Sequence, residues 1–119
     1  MEFILDTIDL EEIKDGVDHM PITGITSNPT IVKKTSPKDF FEHMRTIRKV
    51  IGRERSLHIQ LVALKSEDMI KEAYRLFKEV DEDVYVKIPT TYEGVKAMKL
   101  LKEEGRNVTA TAVYTTMQA

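Results

Sequence analysis

The residue best placed for covalent chemistry is Lys87. It lies in the stretch VYVKI at 84–88, where apolar and polar residues alternate. Alternation is the period of a β-strand, so Val84, Val86 and Ile88 share one face and Tyr85 and Lys87 the other. An ordinary lysine, with a pKa near ~10.4, is a poor nucleophile at neutral pH. Desolvation between apolar neighbours lowers a lysine pKa and frees the amine to attack a carbonyl. The resulting iminium is an electron sink, which makes cleavage of an adjacent carbon–carbon bond feasible. Asp6, Gln60 and Thr111 stand near the ends of other strand-like runs. Asp6 is the candidate acid/base at the hydroxyl of the bond being broken. Gln60 and Thr111 are candidates to hold the water that carries protons at the carbinolamine stage.

Each of these residues also has a commoner role. A single lysine is usually a solvated surface charge. Asp6 serves equally well as a turn cap or an ion-pair partner. The segment TSNP at 26–29 is, by itself, a good helix start, with Asn28 as N-cap and proline at the first helical position. His19, His43 and His58 lack metal-ligand spacing, and His58 fits a packed or hydrogen-bonded core residue. What raises the chemical reading is the set of elements that would bring these side chains together.

Two periods alternate along the chain. Strand patterns fall at residues 1–6 (MEFILD), 22–26 (ITGIT), 57–62 (LHIQLV), 84–88 and 107–113 (NVTATAV). Between them lie amphipathic stripes: Leu10, Ile13 and Val17; Phe40, Met44, Ile47 and Ile51; Met69, Ala73, Leu76, Phe77 and Val80; Val95, Met98 and Leu101. Asp9 with Glu12 and Thr90 with Glu93 read as capping boxes, and Ser66 as a cap. Gly52 and Gly105 fit positions just past helix ends. A short helix is expected from Asn28, and residues 114–119 begin another. The pattern β-α-β-α-α-β-α-β-α-β predicts an α/β fold with a parallel sheet and right-handed crossovers.

Composition narrows the field. The 119 residues suit a single domain over 1–119, and 41% hydrophobic content supplies a core. Eighteen Lys+Arg against twenty Asp+Glu give a net charge of −2, which argues against nucleic acid as a partner. No apolar run approaches the roughly 20 residues of a membrane helix, and residues 1–12 lack the features of a secretory signal. Cysteine is absent, which excludes disulfides and thiolate chemistry and favours a reducing, cytoplasmic setting.

Five such strands fit an open doubly wound sheet or part of a (βα)8 barrel. Period two turns Leu57, Ile59 and Leu61 toward the helices, with His58, Gln60 and Val62 inward. It likewise turns Asn107, Thr109 and Thr111 inward. The inward set therefore includes Asp6, Thr26, Gln60, Lys87 and Thr111, all near strand C-terminal ends. Both faces of an open sheet are covered by helices, where so many polar residues would be costly. The C-terminal rim of a barrel is where chemistry sits, so the polar set favours the barrel.

Taken together, FILDT at 3–7, GITSNPTI at 24–31, Gln60, VKIP at 86–89, EGVKAMKLLKEEG at 93–105 and NVTATAVYTTMQA at 107–119 resemble the small transaldolase and fructose-6-phosphate aldolase family. These are class I aldolases on a (βα)8 barrel. The match runs in register over essentially the whole chain, and TSNP, VKIP and TAVY at this spacing form a specific combination. The resemblance implies Lys87 as the Schiff-base lysine and Asp6 as the catalytic aspartate. It implies Thr26 and Asn28 as contacts to substrate hydroxyls and Thr111 as the threonine near the catalytic water. Gln60 stands where long-type transaldolases carry glutamate and the aldolase branch carries glutamine, which leans toward an aldol lyase. The implied substrates are sugar phosphates or hydroxyketones of carbohydrate metabolism, with no metal or organic cofactor needed.

Family members are roughly twice this long, as a barrel of about 200–250 residues requires. The resemblance therefore covers their N-terminal half and stops just after strand five. It omits the later strands, which carry a tyrosine, a serine and the arginine that grips the sugar phosphate. Unpaired first and fifth strands, with Ile4, Val62 and Tyr85 facing water, predict a homo-oligomer, most simply a dimer. The competing expectations are a non-catalytic half-barrel oligomerisation scaffold and a flavodoxin-like phosphoacceptor receiver. The receiver lacks its acidic cluster here, since Asp6 stands alone after the first strand.

Overall fold

The computed structural model describes residues 3–27 and 37–111. Its elements are β1 (Ile4–Asp6), α1 (Leu10–His19), β2 (Gly24–Thr26), α2 (Pro37–Ile51), β3 (Ser56–Gln60), α3 (Ser66–Glu79), β4 (Tyr85–Pro89), α4 (Tyr92–Glu103) and β5 (Val108–Thr111). The expected helix at Asn28 and the tail after Val113 lie outside the described residues. The strands form one sheet in the order β1-β2-β3-β4-β5, and every neighbouring pair is parallel.

That order decides between the two architectures. A doubly wound sheet reverses its strand order at a switch point and covers both faces. Here each strand pairs with its sequence neighbour and the winding never reverses. Right-handed crossovers then put the helices on one face and leave the other face bare of helices among the described residues. The fold is α/β, a five-stranded arc of a (βα)-barrel.

Helix-side packing fixes which way each strand faces. Leu57, Ile59, Val84, Val86 and Ile88 are all at 1% exposure or less. They share a core with Met44 and Ile47 of α2, Met69 and Ala73 of α3, and Ala97 and Leu101 of α4. Burying each such strand side chain is worth about 1.5–3 kcal/mol. With Val86 and Ile88 held there, Lys87 can point only to the bare face.

The connections differ in detail from the sequence reading. Asp9 caps α1 as expected, its Oδ1 accepting from the N–H of Glu11 at 2.9 Å. Its own N–H donates to Thr7 Oγ1 at 3.0 Å, so Thr7 takes the role expected of Glu12. Residue 65 is the N-cap of α3 and makes no side-chain cap bond. The Ser66 N–H is instead satisfied from the neighbouring helix, by Glu93 Oε1 at 2.9 Å. Glu93 is thus drawn away from a capping box, and Thr91, one residue after the expected Thr90, caps α4 through Gly94 N at 3.0 Å. The bond from Ser66 is the main cause that holds the Glu93 carboxyl below its ordinary value; burial opposes it and Lys96 adds to it.

Gly52 and Gly105 end α2 and α4 with φ of 77° and 76°, the left-handed conformation glycine adopts without cost. Asp81 closes the turn into β4. Its carboxylate accepts from Arg48 Nε at 2.8 Å and from the Asp83 N–H at 2.8 Å.

Candidate active site

Period two places Ile4, Thr26, His58, Tyr85, Lys87 and Thr109 on the bare face, and there they line a concavity of about 290 Å³. Their contacts skip strands. Lys87 Nζ on β4 donates to Thr26 Oγ1 on β2 at 3.0 Å, reaching across β3. His58 Nδ1 on β3 meets Thr109 Oγ1 on β5 at 3.1 Å, reaching across β4. This is how a (βα)-barrel interior is filled, in layers drawn from alternate strands. Thr26 and Lys87 form an even-strand layer; Ile4, His58 and Thr109 form an odd-strand layer.

Two residues further along the odd strands come Asp6, Gln60 and Thr111. The same period puts these three in the next odd-strand layer, at the C-terminal rim. Asp6 is the register partner of Thr26, and Gln60 is that of Lys87. Asp6 is exposed and Gln60 half-buried. The Thr111 hydroxyl is buried and has no hydrogen-bond partner among the described residues, and Thr111 lies opposite Pro89 in the register.

Of the expected site residues, then, the structure joins Lys87 directly to Thr26. Asp6, Gln60 and Thr111 share the rim without lining the concavity, and among the described residues no bond links Asp6 to Lys87. Asn28 lies outside the described residues. The lysine side chain is half-buried, Thr26 is buried, and Ile4 and Tyr85 supply apolar walls.

The wall contains residues that the sequence reading assigned no function. His58 is 7% exposed, a hydrogen-bonded interior residue as expected. Its Nε2 meets Ser56 Oγ at 2.7 Å, and its ring lies 4.9 Å from that of Tyr85. That stack half-buries Tyr85, which was expected to face water. Ile4 and Val62 are exposed, at 41% and 36%, as expected. The signal for Thr109 and Tyr85 was present in the alternation, but inward polarity alone does not distinguish a site wall from a solvated face.

Comparison with known proteins follows the same line. Residues 3–119 match the model of the family described as Transaldolase/Fructose-6-phosphate aldolase. The chain is 42% identical over 118 residues to a probable fructose-6-phosphate aldolase of Streptococcus pneumoniae, covering 99% of this chain and 53% of that protein. It is 38% identical over 119 residues to a probable transaldolase of Hydrogenobaculum sp., covering 100% of this chain and 53% of the relative. The chain thus spans about half the length of the curated relatives it matches. Among solved structures, PhdJ bound to a substrate intermediate aligns with a TM-score of 0.57 at 14% identity, over 90% of this chain and 36% of the other. That likeness speaks to the fold alone, and it agrees with a partial barrel. With its winding, its layered interior and a match over residues 3–119, this chain belongs to the transaldolase/fructose-6-phosphate aldolase family.

Proposed function

We propose that this chain carries the Schiff-base half of a class I aldolase site. In this reading it supports reversible aldol cleavage or dihydroxyacetone transfer on sugar phosphates. The observation that carries the reading is a half-buried lysine on the concave face, held at 3.0 Å by Thr26 Oγ1, within a chain of this family. Lys87 Nζ attacks the substrate carbonyl carbon, and the carbinolamine loses water to give an iminium. The Asp6 carboxylate accepts the proton of the hydroxyl on the far carbon of the bond that breaks, the carbon that becomes the aldehyde. The electrons of that carbon–carbon bond move into the iminium, an aldehyde departs and an enamine remains. Protonation of the enamine carbon and addition of water then return the ketone and the free amine.

The rim layer supports the remaining roles. Gln60 and Thr111 would hold the water of the carbinolamine step, and the buried Thr111 hydroxyl makes no bond to any other described residue. Thr26 and, by sequence position, Asn28 would contact substrate hydroxyls. Glutamine at position 60 favours the aldol lyase over the transferase. No step in this scheme calls for a metal or an organic cofactor. Among the described residues no helix is long and apolar enough to cross a membrane, and the cysteine-free composition fits the cytoplasm.

The sheet edges favour an oligomer as the working form. Among the described residues no strand pairs with the outer edge of β5, whose sequence VTAT carries no charge, and Ile4 of β1 is exposed. Two copies meeting edge to edge would cover both. A non-catalytic scaffold would share this assembly but has no use for Lys87. Deuterium exchange separates the two readings. The iminium–enamine step alone exchanges the carbon-bound protons of dihydroxyacetone in D2O. The chain should catalyse this exchange and the Lys87→Met variant should not. Equal exchange by both would overturn the proposal.

A further inference from the structure

We infer that His43, on α2, is a positioning residue for Asp6. The role rests on the Schiff-base reading above, in which the Asp6 carboxylate takes the hydroxyl proton during cleavage. An acid/base group must stand within hydrogen-bond reach of the proton it takes, about 2.6–3.2 Å between heavy atoms. Something must therefore fix where Asp6 stands.

Strand β1 does little of this. It has three residues and stands at the end of the sheet order. Its ladder among the described residues is with β2 alone, and the last rung pairs Asp6 with Thr26. Asp6 is exposed, and among the described residues no hydrogen bond or ion pair holds its carboxylate. The turn that follows is stiff within itself. The Asp9 N–H donates to Thr7 Oγ1 at 3.0 Å, and Asp9 Oδ1 accepts from the Glu11 N–H at 2.9 Å. Both bonds are local, so they leave the turn free to pivot as a unit.

The bond that anchors the turn comes from another element. His43 Nε2 lies 2.5 Å from the Ile8 carbonyl oxygen, 35 positions away in the sequence. A carbonyl can only accept, so Nε2 carries the proton and donates it. The Ile8 side chain is meanwhile packed against the core. Ile8 is thus held by its side chain and by its carbonyl. Two fixed points on one residue stop the pivot two residues beyond Asp6. A leucine at position 43 would fill space on α2 equally well and would leave the carbonyl unheld.

The experiment compares two rates on the 119-residue chain. Borohydride trapping with dihydroxyacetone needs Lys87 and not Asp6 in the scheme above; cleavage of fructose 6-phosphate needs both. His43→Leu should slow cleavage by about 10–10²-fold, the cost of a misplacement of roughly 1 Å, and leave trapping unchanged. His43→Gln, whose side-chain amide reaches the place of Nε2, should restore cleavage. In the Asp6→Ala background His43→Leu should slow cleavage no further, because the two changes act through one group. Equal slowing of trapping and cleavage, no rescue by His43→Gln, or full additivity with Asp6→Ala overturns the role. If His43→Leu does not fold, His43→Met takes its place.

Failure of the Schiff-base reading looks different, because no adduct then forms even in the wild-type chain. The placement of Asp6 is read without catalysis in the Lys87→Met chain, from the carboxyl-carbon NMR signal of Asp6. Adding His43→Leu should shift that signal, and His43→Gln should return it. The same signal decides for a chain that traps and does not cleave. A signal that stays in place in His43→Leu overturns the inference.

Discussion

Replacing Gly94 with alanine probes the link between helix packing and the placement of Lys87. In an ordinary helix interior this change stabilises by about 1 kcal/mol, because alanine loses less backbone entropy than glycine. Here the first turn of α4 sits against the end of β4. A Cβ on Gly94 would stand 1.8 Å from the Pro89 carbonyl oxygen, 3.0 Å from its carbon and 3.1 Å from Ile88 Cγ2. Non-bonded heavy atoms rest about 3.5 Å apart, so helix and strand end must separate by more than about 1 Å. The obstacle is backbone, which cannot rotate away as a side-chain tip would. Overpacking of this kind costs typically about 1–3 kcal/mol; at the upper end, and set against the propensity gain, the net destabilisation is about 2 kcal/mol. In urea, with a slope of roughly 1–3 kcal/mol/M, the midpoint should fall by about 1 M. Pro89 is two residues from Lys87, so the trapping rate with dihydroxyacetone should fall as well, by up to about 10²-fold for a 1 Å misplacement. A variant with the wild-type midpoint or a higher one would refute the packing of α4 on Pro89, and with it the argument for how β4 is held.

Other expectations follow from the same geometry. Asp6→Ala should slow retro-aldol cleavage of fructose 6-phosphate by about 10²–10⁴-fold, the usual worth of a proton-transfer group. Thr26→Val should slow it less; wild-type cleavage by Asp6→Ala would remove Asp6 from the mechanism. Among the described residues lining the concavity Lys87 is the only cation, so the isolated chain should cleave fructose 6-phosphate weakly, and saturation at micromolar substrate would contradict this. Light scattering should report a dimer or larger assembly, whereas a monomer with protected β5 amides would show that the edges are managed within one chain. Glu93, whose folded pKa lies below 4.5, contributes stability above its unfolded value and loses it as pH falls through the folded one. Protection of the Ser66 amide should drop in that acid window, and protection that persists throughout it would refute the contact.

The arc itself was legible because its two periods are clean. Val84, Val86 and Ile88 alternate with Tyr85 and Lys87, and packing against α3 and α4 enforces that alternation. The barrel winding could be inferred only indirectly, from the polar inward set, since strand order is a long-range property. Contacts that skip a strand were illegible for a related reason. Lys87 and Thr26 are 61 positions apart, and their meeting depends on the stagger of β2 and β4. The caps were misread where a neighbouring helix intervened. Ser66 looks like a cap in its own sequence, but Glu93 from α4 satisfies its N–H, and local patterns carry no trace of that partner. His58 was read as an interior residue, and it is one; that it also holds Thr109 required the register of β3 and β5.

The central claim is that Lys87 forms a covalent imine on the concave face. Its most direct measurement is borohydride reduction in the presence of dihydroxyacetone, followed by peptide mapping of the adduct by mass spectrometry. The account predicts one stoichiometric adduct, located on Lys87 and absent from the Lys87→Met variant. An adduct spread over the surface lysines, or one of equal yield in Lys87→Met, would contradict it.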